Sequence, residues 1–188
     1  MAKKKHKSAY HKATAALEVE GRKQCFIIYG ASAIVLWRHW NKKQLAISRL
    51  FDITSSVWQD CASTNMHSMI EMCEKETGIE IQNGEGKCWR DLPYLNASIN
   101  GMRMSEAQWT YMRHQQVKWI APQVMACIMI ALHRKFRFGY VRCARFYSQV
   151  EEVKQEFGGD PDRIREECFK LTHIDVADTT TKKRERAG

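Results

Sequence analysis

No two of the seven cysteines in this chain are spaced C-x-x-C. They fall at positions 25, 61, 73, 88, 127, 143 and 168, an odd and scattered set, which argues against a disulfide framework and predicts reduced thiols, several of them buried. Cys61, His67 and Cys73 lack a fourth ligand at zinc-site spacing, so no metal is expected. Long apolar runs are missing too. The longest uncharged stretches, residues 24–37 and 119–133, fall short of the roughly 20 residues that span a bilayer and read as buried core helices, with no membrane partner. No apolar region follows the basic N-terminus, so no signal peptide is expected and a cytoplasmic location follows.

Catalytic signatures are absent as well. The chain has no H-E-x-x-H, no G-x-x-x-x-G-K-[ST] and no nucleophile elbow, and NGEGK at 83–87 reads as a turn. Glu71 with Glu166, or Glu151 with Glu152 and Glu156, reads as solvated helix surface rather than an acid-base pair. The expectation is a protein that is not an enzyme and uses no cofactor.

What is present begins with charge. The 188 residues carry 30 basic against 21 acidic side chains, a net +9. Lys3, Lys4, Lys5, Lys7 and Lys12 stand at one end with no acid among them, and Lys182, Lys183, Arg184 and Arg186 at the other with only Glu185, leaving the body nearly balanced. Such ends commonly form solvated arms that hold phosphates without reading sequence.

The body repeats itself. Setting residues 31–61 on 127–157 matches Ile34 with Ile130, Leu36 with Leu132, Arg38 with Arg134, Arg49 with Arg145, Val57 with Val153 and Gln59 with Gln155. After a one-residue slip, Glu71, Cys73, Lys75, Thr77 and Ile79 fall on Glu166, Cys168, Lys170, Thr172 and Ile174. The pattern predicts a mainly α, internally duplicated domain of two three-helix units related by a pseudo-two-fold axis. Its expected parts are a basic arm (1–12), a first repeat (13–81), a hairpin or linker (82–104), a second repeat (105–176) and a basic tail (177–188).

Within each unit, an all-apolar helix is followed by one with helically spaced apolar residues: Leu50, Ile53, Val57 and Cys61, mirrored by Phe146, Val150, Val153 and Phe157. A third helix opens at Asp160-Pro161, or at Thr64 or Asn65 in the first half. KETGIEI (75–81) and KLTHIDV (170–176) repeat a helix stop. Gly78 suits the left-handed residue there; His173 in its place predicts a strained cap or one of another type. Alternation at 79–81 and 174–176 predicts short strands, with a small β-hairpin near 79–90 turning at 83–86. Ser105 and Gln108 form a capping box, and Pro122 should kink or split the helix that follows.

Between the first and second helices of each unit lies a basic-aromatic corner, WRHWNKK (37–43) or HRKFRFG (133–139). The candidate binding residues are Trp37, Arg38, Trp40, Lys42, Lys43 and Arg49, with Arg134, Lys135, Arg137, Phe138, Arg142 and Arg145. Interleaved cations and rings suit phosphates and stacked bases. The competing reading has the aromatics filling space between helices while the cations face water near helix C-termini.

The segments FGYVRCARF (138–146) and EECFKLTHIDV (166–176) resemble small helical proteins of Firmicute phages and prophages. In that family an aromatic-Gly-aromatic corner, a basic helix and a closing TGI-acidic-aliphatic motif recur. The resemblance covers mainly the second half, and His173 departs from the usual glycine. It implies the cytoplasm of a bacterial host and no catalytic residue. The expected function is a phage-type, non-enzymatic protein that binds DNA or RNA through its corners and arms. The alternative is an inhibitor of a host defence nuclease, of the anti-CRISPR type, acting on a nucleic-acid-loaded complex such as Cas9. Partners are thus nucleic acid, a nucleic-acid-bound host complex, or both, with a homodimer left open.

Overall fold

A helix that is apolar on every side is stable in water only when other helices enclose it. Two such helices organise this molecule. The computed structural model describes residues 2–61, 68–88, 90 and 105–177. Among the described residues the helices are α1 (Ala2–Trp40), α2 (Gln44–Cys61), α3 (Ser68–Thr77), α4 (Glu106–Lys118), α5 (Ile120–Phe136), α6 (Tyr140–Glu156) and α7 (Pro161–Thr172). Residues 27–36 of α1 and 122–132 of α5 are buried without interruption and form the centre of one continuous core.

The cover of these two helices is crossed. α1 packs most heavily on α7 and then α6, whereas α5 packs most heavily on α3 and then α2. Each therefore leans on the short helices that follow the other, and α1 and α5 also touch each other. Small residues permit the close approach. A Cβ on Gly30 of α1 would stand 2.6 Å from Ile164 Cγ2 of α7, and Cys127 Sγ of α5 lies 3.4 Å from Met69 Sδ of α3.

Local signals set the helix ends. Ser105 and Gln108 exchange two bonds, at 2.9 and 3.2 Å, ahead of α4. The long helix breaks at Trp119, just before Pro122, giving α4 and α5. Asp160 accepts from the N–H groups of Asp162 and Arg163 with Pro161 opening α7. The proposed Thr64 or Asn65 cap lies outside the described residues. α1 begins at Ala2, so the backbone of residues 2–12, which hold five lysines, is part of this helix. The C-terminal tail from residue 178 and linker residues 91–104 also lie outside the description.

The expected strands are not found: the described residues contain no strand, at 79–90 or at 174–176. The turn at 84–86 is present, but the Asn83 side chain accepts from the N–H groups of Glu85 and Lys87, consuming donors that a hairpin ladder would use. The alternation of buried Ile79 and Ile81 with exposed Glu80 and Gln82 reflects an extended chain lying on the helical core. At 174–176, Ile174 and Val176 are likewise buried, and a helical turn resumes at Val176.

The same bonds close corresponding elements. The Lys42 N–H donates to the Leu36 carbonyl at 2.9 Å and the Phe138 N–H to the Leu132 carbonyl at 3.2 Å. In both corners the residue just before is left-handed, Asn41 (φ 49°) and Arg137 (φ 56°). At the ends of α3 and α7, the hydroxyls of Thr77 and Thr172 each donate to a cysteine carbonyl at 2.7 Å, Cys73 and Cys168 respectively, and each accepts from the second following N–H at 3.2 Å.

Candidate nucleic-acid interface

The two corners converge on one end of the bundle. Trp40, the last residue of α1, packs its ring against Phe138 at a centroid distance of 4.7 Å, and its Nε1 donates to Gln149 Oε1 at 2.9 Å. The C-terminus of α7 joins them, since Gln44 Nε2 donates to the His173 carbonyl at 3.3 Å. The end of α3 does too, where a Cβ on Gly78 would lie 3.0 Å from the Tyr140 ring.

Four of the expected binding residues have other duties there. Phe138 is buried and Trp40 half-buried, so this pair fills space between helices. Arg38 pairs with Glu156 on α6 and Glu167 on α7, both at 2.9 Å. Arg134 binds Glu76 through Nε at 2.9 Å and through Nη2, with Met72 Sδ 3.4 Å away. The bond to Glu76 raises the Arg134 pKa further above its already high ordinary value. Both guanidinium groups therefore tie helices together through paired carboxylates. The carboxylates that hold them lie far away in the sequence, and only the crossed packing brings them close.

Lys43, Arg49, Lys135, Arg137, Arg142 and Arg145 are exposed and Lys42 is half-buried; among the described residues, no carboxylate pairs with any of them. Trp37 keeps 37% of its surface exposed beside them. The structure also adds residues that sequence reasoning missed: Leu45, Tyr140 and Val141 are exposed by 82%, 61% and 76%. A sequence signal for them existed, because Leu45 and Val141 stand opposite each other when the halves are aligned, each four residues before an arginine (Arg49, Arg145).

Cys61, Cys73, Cys127, Cys143 and Cys168 are buried, and none of the seven cysteines forms a disulfide. Burial pushes the thiols of Cys25, Cys143 and Cys168 up to about 11 and that of Cys73 to about 12, so they are protonated at neutral pH and poor nucleophiles. Among the described residues no three metal-ligating side chains converge. A cleft of about 250 Å³ near Ile28, Ile81, Pro122 and Met125 contains one carboxylate, Glu151, which is held by Lys154 at 2.8 Å. None of the described helices is long and apolar enough to cross a membrane. No protein-family model matches the chain, and no curated protein or solved structure matches it.

Proposed function

We propose that this chain is an internally duplicated, non-enzymatic protein of the phage type that binds nucleic acid through the end of the bundle where its two corners meet. The reading rests above all on a set of cations with no carboxylate partner among the described residues, Lys42, Lys43, Arg49, Lys135, Arg137, Arg142 and Arg145, gathered around that end while the nearby carboxylates are occupied by Arg38 and Arg134. Surface cations cost little to display in water and gain most against a polyanion, whose counterions they release. Trp37 offers a ring for an unpaired base.

Duplication is supported by the matched corner bonds, the matched Thr77 and Thr172 bonds and the crossed cover of α1 and α5, which a pseudo-two-fold axis between these helices relates. It gives the cationic end two similar halves. The phage setting draws on the resemblance of residues 138–146 and 166–176.

Fluorescence anisotropy with labelled duplex and single strands tests the function. Affinity should fall steeply between 50 and 200 mM salt, by roughly a thousandfold or more if six or more phosphates are engaged. The triple substitution Arg137→Ala, Arg142→Ala, Arg145→Ala should lower the slope of log affinity against log salt by about 2 to 3, with an unchanged melting temperature. Absence of binding to every strand and duplex at low salt would refute the proposal.

A further inference from the structure

The exposed aliphatics at the cationic end are not needed for phosphates. A single surface leucine calls for no explanation. Two at corresponding positions are different. Leu45 is the second residue of α2 and Val141 the second residue of α6, and they are exposed by 82% and 76%. Each stands between cations along its own chain: Lys42 and Lys43 before Leu45 and Arg49 one turn after; Arg137 before Val141, with Arg142 and Arg145 after. The Trp40–Phe138 contact brings the two helix tips to the same end of the molecule. Tyr140 enlarges the second tip.

Building on the nucleic-acid reading, we infer that this end binds duplex DNA at the minor groove, with Leu45 and Val141 as paired wedges against base steps and the flanking cations on the phosphates to either side. Three considerations select duplex DNA over other occupants. The carboxylates near this end, Glu156, Glu167 and Glu76, are already paired with Arg38 and Arg134, so the surplus of cations without a carboxylate among the described residues matches a polyanion. A duplex has local two-fold axes that a pseudo-two-fold pair of tips can share; a lipid surface has none. Apolar wedges between cations are how proteins open and bend the minor groove of DNA, whereas the minor groove of an RNA duplex is wide and shallow and is recognised through its 2′-hydroxyls.

The test uses the full chain and duplexes of about 30 base pairs carrying a donor and an acceptor dye at opposite ends, with a central TA step or a central A-tract. Binding should raise energy transfer, and the TA duplex, which kinks easily, should be preferred roughly tenfold. In the Leu45→Ala, Val141→Ala variant, whose changes lie on exposed positions, the melting temperature and the salt slope should stay unchanged while the rise in energy transfer and the TA preference disappear. Wild-type binding without bending, or bending that survives in the variant, would overturn the wedge assignment and leave phosphate binding standing. Equal loss by the variant of affinity for anionic phosphatidylserine vesicles or for duplex RNA would also overturn it. If no duplex is bound at all, the wedge and the function proposal fall together.

Discussion

Two glycines in α1 show how far a single atom's surroundings decide an outcome. A methyl group on Gly30 would meet Ile164 Cγ2 at 2.6 Å, and one on Gly21 would meet Ile120 Cδ1 at 2.7 Å. The distances are alike, but the obstacles are not. Ile164 is fully buried, and its Cγ2 sits on the branched carbon next to the backbone of α7, so relief requires α7 to move. Ile120 Cδ1 is the free end of a half-buried side chain that can rotate away. Alanine in place of glycine gains about 1 kcal/mol of helix propensity, and overpacking a core costs about 1–3 kcal/mol. Gly30→Ala should therefore lower the urea midpoint, by up to about 2 kcal/mol in stability, while Gly21→Ala should leave it unchanged or raise it. Equal effects would mean that α7 is not pressed onto α1 at Gly30. The sequence shows both glycines but not which neighbour each admits. For the same reason it marks Arg38 and Arg134 as cations without disclosing Glu156, Glu167 and Glu76, their partners across the fold.

At the scale of the element, the readable features are those whose cause lies within a few residues. The Ser105–Gln108 box, the Asp160-Pro161 start and the break before Pro122 all follow from adjacent side chains satisfying or lacking backbone partners. The alternation at 79–81 and 174–176 does not produce strands, because it reports which side of a chain is buried and says nothing about whether another strand lies beside it. His173 is the instructive case. Its φ of 57° puts it in the left-handed region like Gly78 at 73°, and both ends make the same 2.8 Å bond back to the preceding turn, Gly78 to Glu74 and His173 to Phe169. The cap is therefore of the same type, with the cost of a side chain added. The left-handed region costs a residue with a Cβ about 1–2 kcal/mol, less the extra entropy that glycine loses on folding. His173→Gly should stabilise the protein by up to about 1 kcal/mol. Gly78→Ala should destabilise it by about 1–2 kcal/mol, since its new Cβ would also crowd Tyr140. Thermal melting of the two variants should shift in opposite directions. A loss on His173→Gly would instead show that the edge-on contact of its ring with Phe169, at 6.3 Å, outweighs the backbone cost.

For the whole molecule, what matters is that neither half can cover its own long helix. The uncharged runs 24–37 and 119–133 mark helices that other helices enclose, and 27–36 and 122–132 within them are buried, but the runs do not say which helices do the enclosing: α1 lies on α6 and α7, and α5 on α2 and α3. Which partner covers a buried face depends on chain connectivity, which composition and spacing do not encode. Crossed cover has a thermodynamic consequence: a half in isolation would expose the apolar faces of its long helix and of its two short helices, at about 25 cal/mol per Å², a loss that a domain of this size with marginal net stability cannot absorb. Residues 1–90 and 105–188, produced separately, should thus show little helix by circular dichroism at micromolar concentration, or should self-associate by taking cover from a second copy. Mixed or co-expressed, they should form a one-to-one complex with a single cooperative melt. If the 105–188 fragment folded alone as a monomer with a sharp transition, the interlocked core would be disproved, and with it the physical basis for placing both corners at one end.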